Sequence, residues 1–189
     1  MCLSRLATAK SATMWKAVGL LYQGFILAMT GKAADAVSAL TSGMAGLRST
    51  GATVNLPTFS SILAGAYADL GQIDEAYHCI EQALMAIETS KERWFEADVH
   101  RIWGEITLKS PVPDAAKAEG CFERALAVAR QQHTKSWELR AAMSLARLWR
   151  SQGKVQQARE LLAPVYGWFT EGFETRDLKE ARALLEELA

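Results

Sequence analysis

The chain has 189 residues, of which 50% are hydrophobic and 22% are charged, a composition typical of a folded globular protein and not of a disordered one. Basic and acidic side chains number 21 each, so the formal net charge is zero, which argues against a general nucleic-acid binder. Four prolines and abundant alanine favour helix, because alanine loses no side-chain entropy there and proline interrupts the hydrogen bonds.

Apolar residues recur at helical spacing along the chain, and the sequence predicts nine helices. Pro57 suits the first turn of a helix, and Asp74, Asp114 and Thr175 suit helix caps. The predicted helices cover residues 14–30, 33–48, 57–70, 74–89, 95–109, 114–131, 136–151, 155–169 and 176–188. The predicted organisation is an N-terminal tail or truncated preceding repeat (1–13), four helix pairs (14–169), and a linker with a capping helix (170–189).

The first predicted helix is apolar nearly all round and carries no charge between Ala17 and Met29. That stretch is too short to span a bilayer, and it lacks the basic segment and cleavage pattern of a signal peptide. No polar helix precedes it, so we expect its apolar surface to be buried against a partner. Self-association of two copies through Leu21 and Phe25 is one way to bury this surface.

The chain contains an internal repeat of about 40 residues. Three copies have a small residue, a turn glycine seven residues later, an alanine five residues after that, and a large apolar residue four further on. A fourth copy fits if two residues are inserted in its turn, which contains Pro111 and Pro113. The small and large positions are Gly24 and Leu40, Ala64 and Ile80, Gly104 and Phe122, Ala146 and Leu162. An aromatic residue precedes the small one by nine positions in three copies, at Trp15, Phe95 and Trp137.

This pattern predicts helix–turn–helix pairs that stack on one another. The small residue lets two antiparallel helices approach, the large one fills the groove beside it, and the glycine ends the first helix. The pattern resembles the tetratricopeptide repeat (TPR), and it is best preserved at Leu63, Ala64, Tyr67, Gly71, Ala76 and Ala83. The resemblance implies an all-α solenoid, a right-handed superhelix of about four helix pairs with a C-terminal capping helix.

Four runs in the chain resemble a narrower group. Residues 92–98, 118–126, 135–149 and 165–173 are similar to the C-terminal repeat region of bacterial regulators that carry an AAA/STAND ATPase, often with an adenylate/guanylate cyclase domain. The resemblance implies a sensory or scaffolding arm. The chain itself has no GxxxxGK[ST] loop for nucleotide phosphates.

No motif for catalysis, cofactor or metal binding stands out. His78, His100 and His133 are scattered, and no CxxC pair is present. An odd number of cysteines suits a reducing cytoplasm. We therefore expect a cytoplasmic protein that is not an enzyme and has no cofactor. Glu96 and Glu138 favour the positive end of a helix dipole.

A basic stripe is the most informative polar feature. Arg140, Arg147 and Arg150 share one helix face, and Arg101 occupies the matching place one pair earlier, beside Asp98 and Glu105. Together with Met143 they are predicted to line a groove. Arginine binds carboxylates bidentately, so an acidic peptide or a C-terminal carboxylate is the expected ligand. Alternatively, the acidic final segment, residues 171–189, neutralises the stripe.

The function that these features favour is protein–protein interaction, as the regulatory or sensor arm of a larger signalling ATPase or nucleotide cyclase. A partner in the groove would shift the packing of neighbouring catalytic domains of the same or another chain. Two alternatives remain open: a solenoid that senses a small molecule for a transcriptional or cyclase regulator, and a self-association module that forms a homodimer. Nucleic-acid and membrane partners are not expected.

Overall fold

The structure is a computed structural model that describes residues 2–189, with side chains from Ser11 onward. All regular structure in that part of the chain is helical, which confirms the predicted all-α fold. The nine helices of the described residues are α1 Cys2–Met29, α2 Ala33–Ser49, α3 Leu56–Asp69, α4 Ile73–Ser90, α5 Glu96–Lys109, α6 Ala115–Gln131, α7 Lys135–Ser151, α8 Val155–Tyr166 and α9 Arg176–Glu187. Met1, the first residue of the predicted tail, lies outside the described residues.

Helix α1 begins at Cys2, so the predicted start near residue 14 is wrong. Residues 2–13, predicted as a tail or part of a preceding repeat, continue α1. They contain neither glycine nor proline, so nothing in them interrupts the helix. Asp74 does not cap α4, because the cap residue is Gln72 and Asp74 lies in the first turn. Asp114 does cap α6, its side chain accepting a hydrogen bond from the Lys117 backbone N–H at 2.9 Å.

The chain divides into two compact units, residues 1–93 and residues 94–189. In the first unit α1 pairs with α2 and α3 with α4, and α3 also packs on α1 and α2. In the second unit α5 pairs with α6 and α7 with α8, and α7 packs on α5 and α6. Helix α9 contacts α7 and α8 as the first helix of a further pair would, so it covers the end of the second unit.

Small residues face large ones inside the pairs, as the repeat predicts. A Cβ atom added to Gly24 would lie 2.6 Å from Cγ of Leu40, and one added to Gly43 would lie 2.8 Å from Cγ of Leu21. Gly104 faces the fully buried ring of Phe122 in the same way. The two helices of each of these pairs therefore lie too close together for a larger residue at these positions.

Three of the four turns within pairs use a glycine with positive φ. Gly31, Gly71 and Gly153 have φ of +77°, +75° and +77°, which residues other than glycine adopt with strain. After Gly31, the backbone N–H of Lys32 donates to the carbonyl of Leu27 at 2.9 Å, and the other two turns repeat this bond. The α5–α6 turn differs, since residues 111–113 contain two prolines and no glycine.

Aromatic residues at matching positions of two pairs meet in the second unit. The rings of Phe95 and Trp137 lie edge to face with centroids 4.9 Å apart. Trp137 also packs against Ala97, Val128 and Ala129. Trp15, at the matching position of the first pair, lies inside α1 and is 65% exposed, so it does not pack as Phe95 and Trp137 do.

Candidate protein-binding surfaces

The predicted arginine stripe forms a row on α7 that faces α9, and we call Arg140, Arg147 and Arg150 the arginine row. Arg140 Nε lies 2.6 Å from Asp177 Oδ2, and Arg147 Nη2 lies 3.1 Å from Glu180 Oε2. Arg150 pairs with Glu187. The acidic final segment thus neutralises the row, which is one of the two interpretations that the sequence left open.

The ion pairs follow the same order along both helices, so α7 and α9 run side by side in the same direction. The side chains of the three arginines are 36% to 43% exposed. Surface pairs of this kind contribute about 0–1 kcal/mol each. The arginine row therefore holds carboxylates at a half-exposed edge, while apolar contacts fix α9 beneath it.

Those apolar contacts lie on one stripe of α9. Leu178, Ala181, Leu184 and Leu188 are buried in the core cluster of the second unit. Met143, predicted to line the groove, is 3% exposed and belongs to the same cluster. It stabilises the fold from inside and presents almost no surface to a partner.

Arg101 lies apart from the arginine row, in a network between α5 and α7. It donates to Asp98 and to Glu105 Oε1, the latter at 2.6 Å, and Ser144 Oγ donates to the same Glu105 oxygen at 3.1 Å. Burial alone would lower the pKa of Arg101, but the two carboxylates raise it above its ordinary value. The Arg101 side chain is only 16% exposed. Asp98, Arg101 and Glu105, all predicted site residues, therefore stabilise the contact between α5 and α7.

Glu180 accepts hydrogen bonds from two arginines. A hydrogen bond from Arg176 Nε, at 2.7 Å, lowers the pKa of Glu180 below its ordinary value, and the bond from Arg147 adds to the effect. Burial opposes the shift. Glu180 therefore stays ionised at neutral pH and keeps its pairing with the arginine row.

Glu138 was predicted only to favour a helix dipole, and the structure gives it a further role. It accepts hydrogen bonds from Arg130 Nε at 2.9 Å and from Lys135 Nζ at 2.7 Å. Burial would raise the pKa of Glu138, but these two partners lower it. Glu138 thereby joins the end of α6 to the start of α7, a role that depends on a residue eight positions away and is not visible in the helix-start pattern.

The two residues predicted for self-association do not form an exposed patch. Leu21 is fully buried between α1 and α2, where it contacts Gly43, and Phe25 is half-buried. A charge at Leu21 would disrupt the helix pair itself. The exposed face of α1 instead carries four large side chains that are not among the residues predicted for self-association. They are Trp15, Tyr22, Ile26 and Met29, with exposed fractions of 65%, 54%, 60% and 51%.

These four residues and Gly19, which we together call the α1 stripe, follow one another at spacings of four and three. Such spacing places them on one side of the helix. That side is opposite the one on which Ala17, Leu21 and Gly24 are buried. Sequence reasoning missed the α1 stripe because apolar residues occur all round α1, and periodicity alone could not tell which of them face α2.

Reactive groups do not cluster in the described part of the chain. No group of three or more His, Cys, Asp or Glu side chains among those residues could hold a metal ion. Burial raises the pKa of the Cys79 thiol to about 11 and also raises that of Cys121, which keeps both thiols protonated. None of the described helices is apolar over a length sufficient for a membrane span.

Two of the solved structures with similar folds are repeat proteins. A putative kinesin light chain from Podosopora anserina, described as nearly identical TPR-like repeats, matches with a TM-score of 0.62 and 19% identity over 90% of this chain and 83% of that one. A single-substitution variant of it matches with a TM-score of 0.65 and 20% identity over the same shares. The chain has a TPR-like repeat fold. No protein-family model and no curated protein matches it, so the likeness establishes the fold alone.

Proposed function

We propose that this chain is a non-catalytic protein-binding module whose arginine row binds an acidic segment of a partner. One observation carries the proposal: three arginines of α7 already hold three carboxylates of a helix, Asp177, Glu180 and Glu187. The row therefore has the spacing and charge to bind acidic side chains on a helical segment. TPR-like repeats generally bind proteins or peptides, which is consistent with this assignment.

The partner would exchange with the acidic edge of α9. Exposed ion pairs are weak, so a second set of carboxylates can replace them at little net loss. The buried leucines of α9 keep the helix docked during the exchange. Acidic residues of α9 then act as an internal competitor that lowers the affinity for weakly acidic segments.

Peptide binding tests this proposal. The probe is a fluorescent helical peptide with glutamates at spacings of three and seven residues, and its glutamine counterpart is the control peptide. Removing the competing carboxylates with Asp177→Asn, Glu180→Gln and Glu187→Gln is expected to strengthen binding of the acidic peptide by about tenfold. Arg147→Glu with Arg150→Glu is expected to abolish it.

The matched control variant removes three carboxylates elsewhere in the same segment, with Glu171→Gln, Glu174→Gln and Glu186→Gln. It changes the net charge equally but leaves the arginine row paired as before. Equal affinities of the two triple variants, or unchanged binding after the arginine reversals, would reject the row as the binding surface.

We also propose that the module is the regulatory or sensor arm of a larger signalling ATPase or nucleotide cyclase. The support is the resemblance of residues 92–98, 118–126, 135–149 and 165–173 to the repeat region of such regulators. Partners would then include catalytic domains of the same or another chain. Reading the genomic sequence around this coding segment tests the idea: an ATPase or cyclase domain in the same frame supports it, and an independent short gene contradicts it.

A second copy of this chain is a further proposed partner. The observation that favours it is the α1 stripe, which leaves four large apolar side chains at least half exposed on a helix that has a single charge between Ala12 and Met29, at Lys16. Exposed apolar patches of this kind mark interaction surfaces.

A further inference from the structure

We infer that Arg140 is the main binding residue of the arginine row, and that its Nη groups bind a carboxylate of the partner while its Nε–H keeps Asp177. The partner thus adds to Arg140, whereas at Arg147 and Arg150 it exchanges with α9. Trp137 is the residue that positions the Arg140 guanidinium. This inference rests on the proposed binding of an acidic segment and specifies where in the row that binding is strongest.

The three arginines of the row use different nitrogen atoms to hold α9. Arg140 donates to Asp177 Oδ2 through Nε, at 2.6 Å. Arg147 pairs through Nη2, and Arg150 pairs through Nη1. A guanidinium has one N–H at Nε and four at its two Nη atoms, which together present a fork for a carboxylate. The bond to Asp177 does not use this fork of Arg140, whereas α9 already occupies part of the fork in the other two arginines.

Arg101 shows, in the same unit, that one guanidinium can hold two carboxylates in this way. Its Nε donates to Asp98 Oδ1, and its Nη1 donates to Glu105 Oε1 at 2.6 Å. Arg140 has the first of these two bonds, with Asp177 in the place of Asp98. The Arg140 side chain is 36% exposed, so a carboxylate from another chain can reach its Nη groups and form the second bond.

Trp137 holds the guanidinium of Arg140 in place. The Cζ atom of Arg140 lies 4.9 Å from the centroid of the Trp137 ring, a distance at which the ring attracts a cation. The ring itself is fixed, because Phe95 meets it edge to face and the buried side chains of Ala97 and Val128 pack against it. Arg140 therefore loses less conformational freedom on binding a carboxylate than an arginine that is held by an ion pair alone.

Titration of single variants with the acidic fluorescent peptide tests the unequal roles of the arginines. Arg140→Lys is expected to weaken binding about tenfold, because an ammonium group lacks the fork that serves two carboxylates. Arg147→Lys is expected to weaken binding by less than about threefold, because the peptide gains little there beyond the exposed ion pair that it displaces. Equal losses for the two variants would overturn the inference.

The carboxylates of α9 distinguish addition from exchange. If the peptide adds to Arg140, Asp177→Asn alone is expected to change the affinity by less than about twofold, because the fork is open with or without that charge. Glu180→Gln with Glu187→Gln is expected to give most of the roughly tenfold gain that the triple variant shows. An Asp177→Asn variant that gains as much as this double variant would mean that the partner replaces Asp177, contrary to the inference.

A double-mutant cycle tests the positioning role of Trp137. Trp137→Leu is expected to weaken binding about threefold to fivefold, and to have no effect when Arg140 is already changed to Gln. Trp137→Phe keeps an aromatic face and is expected to recover part of the loss. An equal effect of Trp137→Leu with and without Arg140→Gln would mean that Trp137 acts through packing alone, and would remove it as a positioning residue.

Trp149→Leu is the matched control. Trp149 follows Arg140 by nine residues and so lies on the opposite side of α7, where its indole N–H donates to Glu119. This variant is expected to bind the peptide like wild type, and circular dichroism of every variant checks that the helices are retained. A wild-type chain that does not bind the acidic peptide rejects the proposed function together with this inference. Binding that tolerates both Arg140→Lys and Trp137→Leu rejects this inference alone.

Discussion

Single positions decide how closely the helices of a pair approach. Gly104 faces the ring of Phe122 across the α5–α6 interface, and Phe122 has no exposed surface. The ring cannot move aside without displacing neighbours that are themselves buried, such as Ala118 and Ala125. The absence of a side chain at Gly104 is therefore part of the packing, and it explains why glycine is tolerated inside a helix.

Gly104→Ala tests this. We expect the substitution to lower the free energy of unfolding by about 1–3 kcal/mol, because the new methyl group overlaps the Phe122 ring. Urea denaturation followed by circular dichroism measures it. The control is Gly120→Ala on the neighbouring α6, where an added Cβ has no atom within 4 Å. There the gain in helix propensity is expected to stabilise the chain by roughly 0.5–1 kcal/mol. A stabilising Gly104→Ala would contradict the packing argument.

At the scale of elements, α9 has two different faces. Its leucine stripe enters the core of the second unit, and its acidic edge pairs with the arginine row. The first contact is apolar and insensitive to pH, whereas the second needs ionised carboxylates. The attachment of α9 is therefore expected to respond to acid through its edge alone.

Acidification is expected to weaken the ion pairs of Glu180, one with Arg176 within α9 and one with Arg147 of α7. A carboxyl group whose pKa is lower in the folded state stabilises the fold above its unfolded pKa, and this stabilisation is lost as the pH falls through the folded pKa. Glu180 behaves in this way, since Arg176 and Arg147 lower its pKa below the ordinary value of 4.5. The thermal unfolding midpoint of wild type should therefore fall more steeply than that of Glu180→Gln between about pH 5 and about pH 3. The exposed linker residue Glu171, changed to Gln, is the control, and identical profiles for wild type and Glu180→Gln would exclude the contribution.

For the molecule as a whole, the last helix of the second unit and the first helix of the first unit differ in their exposed surfaces. Helix α9 closes the second unit with a buried leucine stripe and a charged outer side, where Arg182 pairs with Glu186. Helix α1 of the first unit exposes aromatic and aliphatic side chains instead. The outer side of α9 is polar, as solubility requires of a helix that closes a set of stacked pairs, whereas exposed apolar side chains such as those of α1 mark an interaction surface.

Loss of the α9 stripe should destabilise the closed end. Leu184 is 3% exposed, and Leu184→Ala is expected to lower the free energy of unfolding by about 2–5 kcal/mol through lost contacts and the cavity that remains. Glu186→Ala, on the exposed side of the same helix, is expected to change it by less than about 0.5 kcal/mol. Chemical denaturation followed by tryptophan fluorescence compares the two. Similar effects of both substitutions would mean that α9 is not part of the core.

The sequence by itself determined the helix pairs, because their information is local. Three kinds of signal act within one pair. They are a glycine that adopts positive φ, as at Gly31, a proline in a first turn, as at Pro57, and a small residue paired with a large one 16 residues later, as at Gly24. The arginine spacing on α7 was local in the same sense. These features sufficed for the all-α repeat fold.

Only the tertiary structure decided how surfaces are used. Whether the arginine row is free or paired depends on α9, whose Asp177 lies 37 residues after Arg140. Whether Leu21 or Tyr22 faces solvent depends on which side of an almost uniformly apolar α1 meets α2. Both outcomes arise from contacts between helices that are separate in sequence. Hydrophobic periodicity indicates that a helix has a buried face, but it does not indicate which other helix packs against that face.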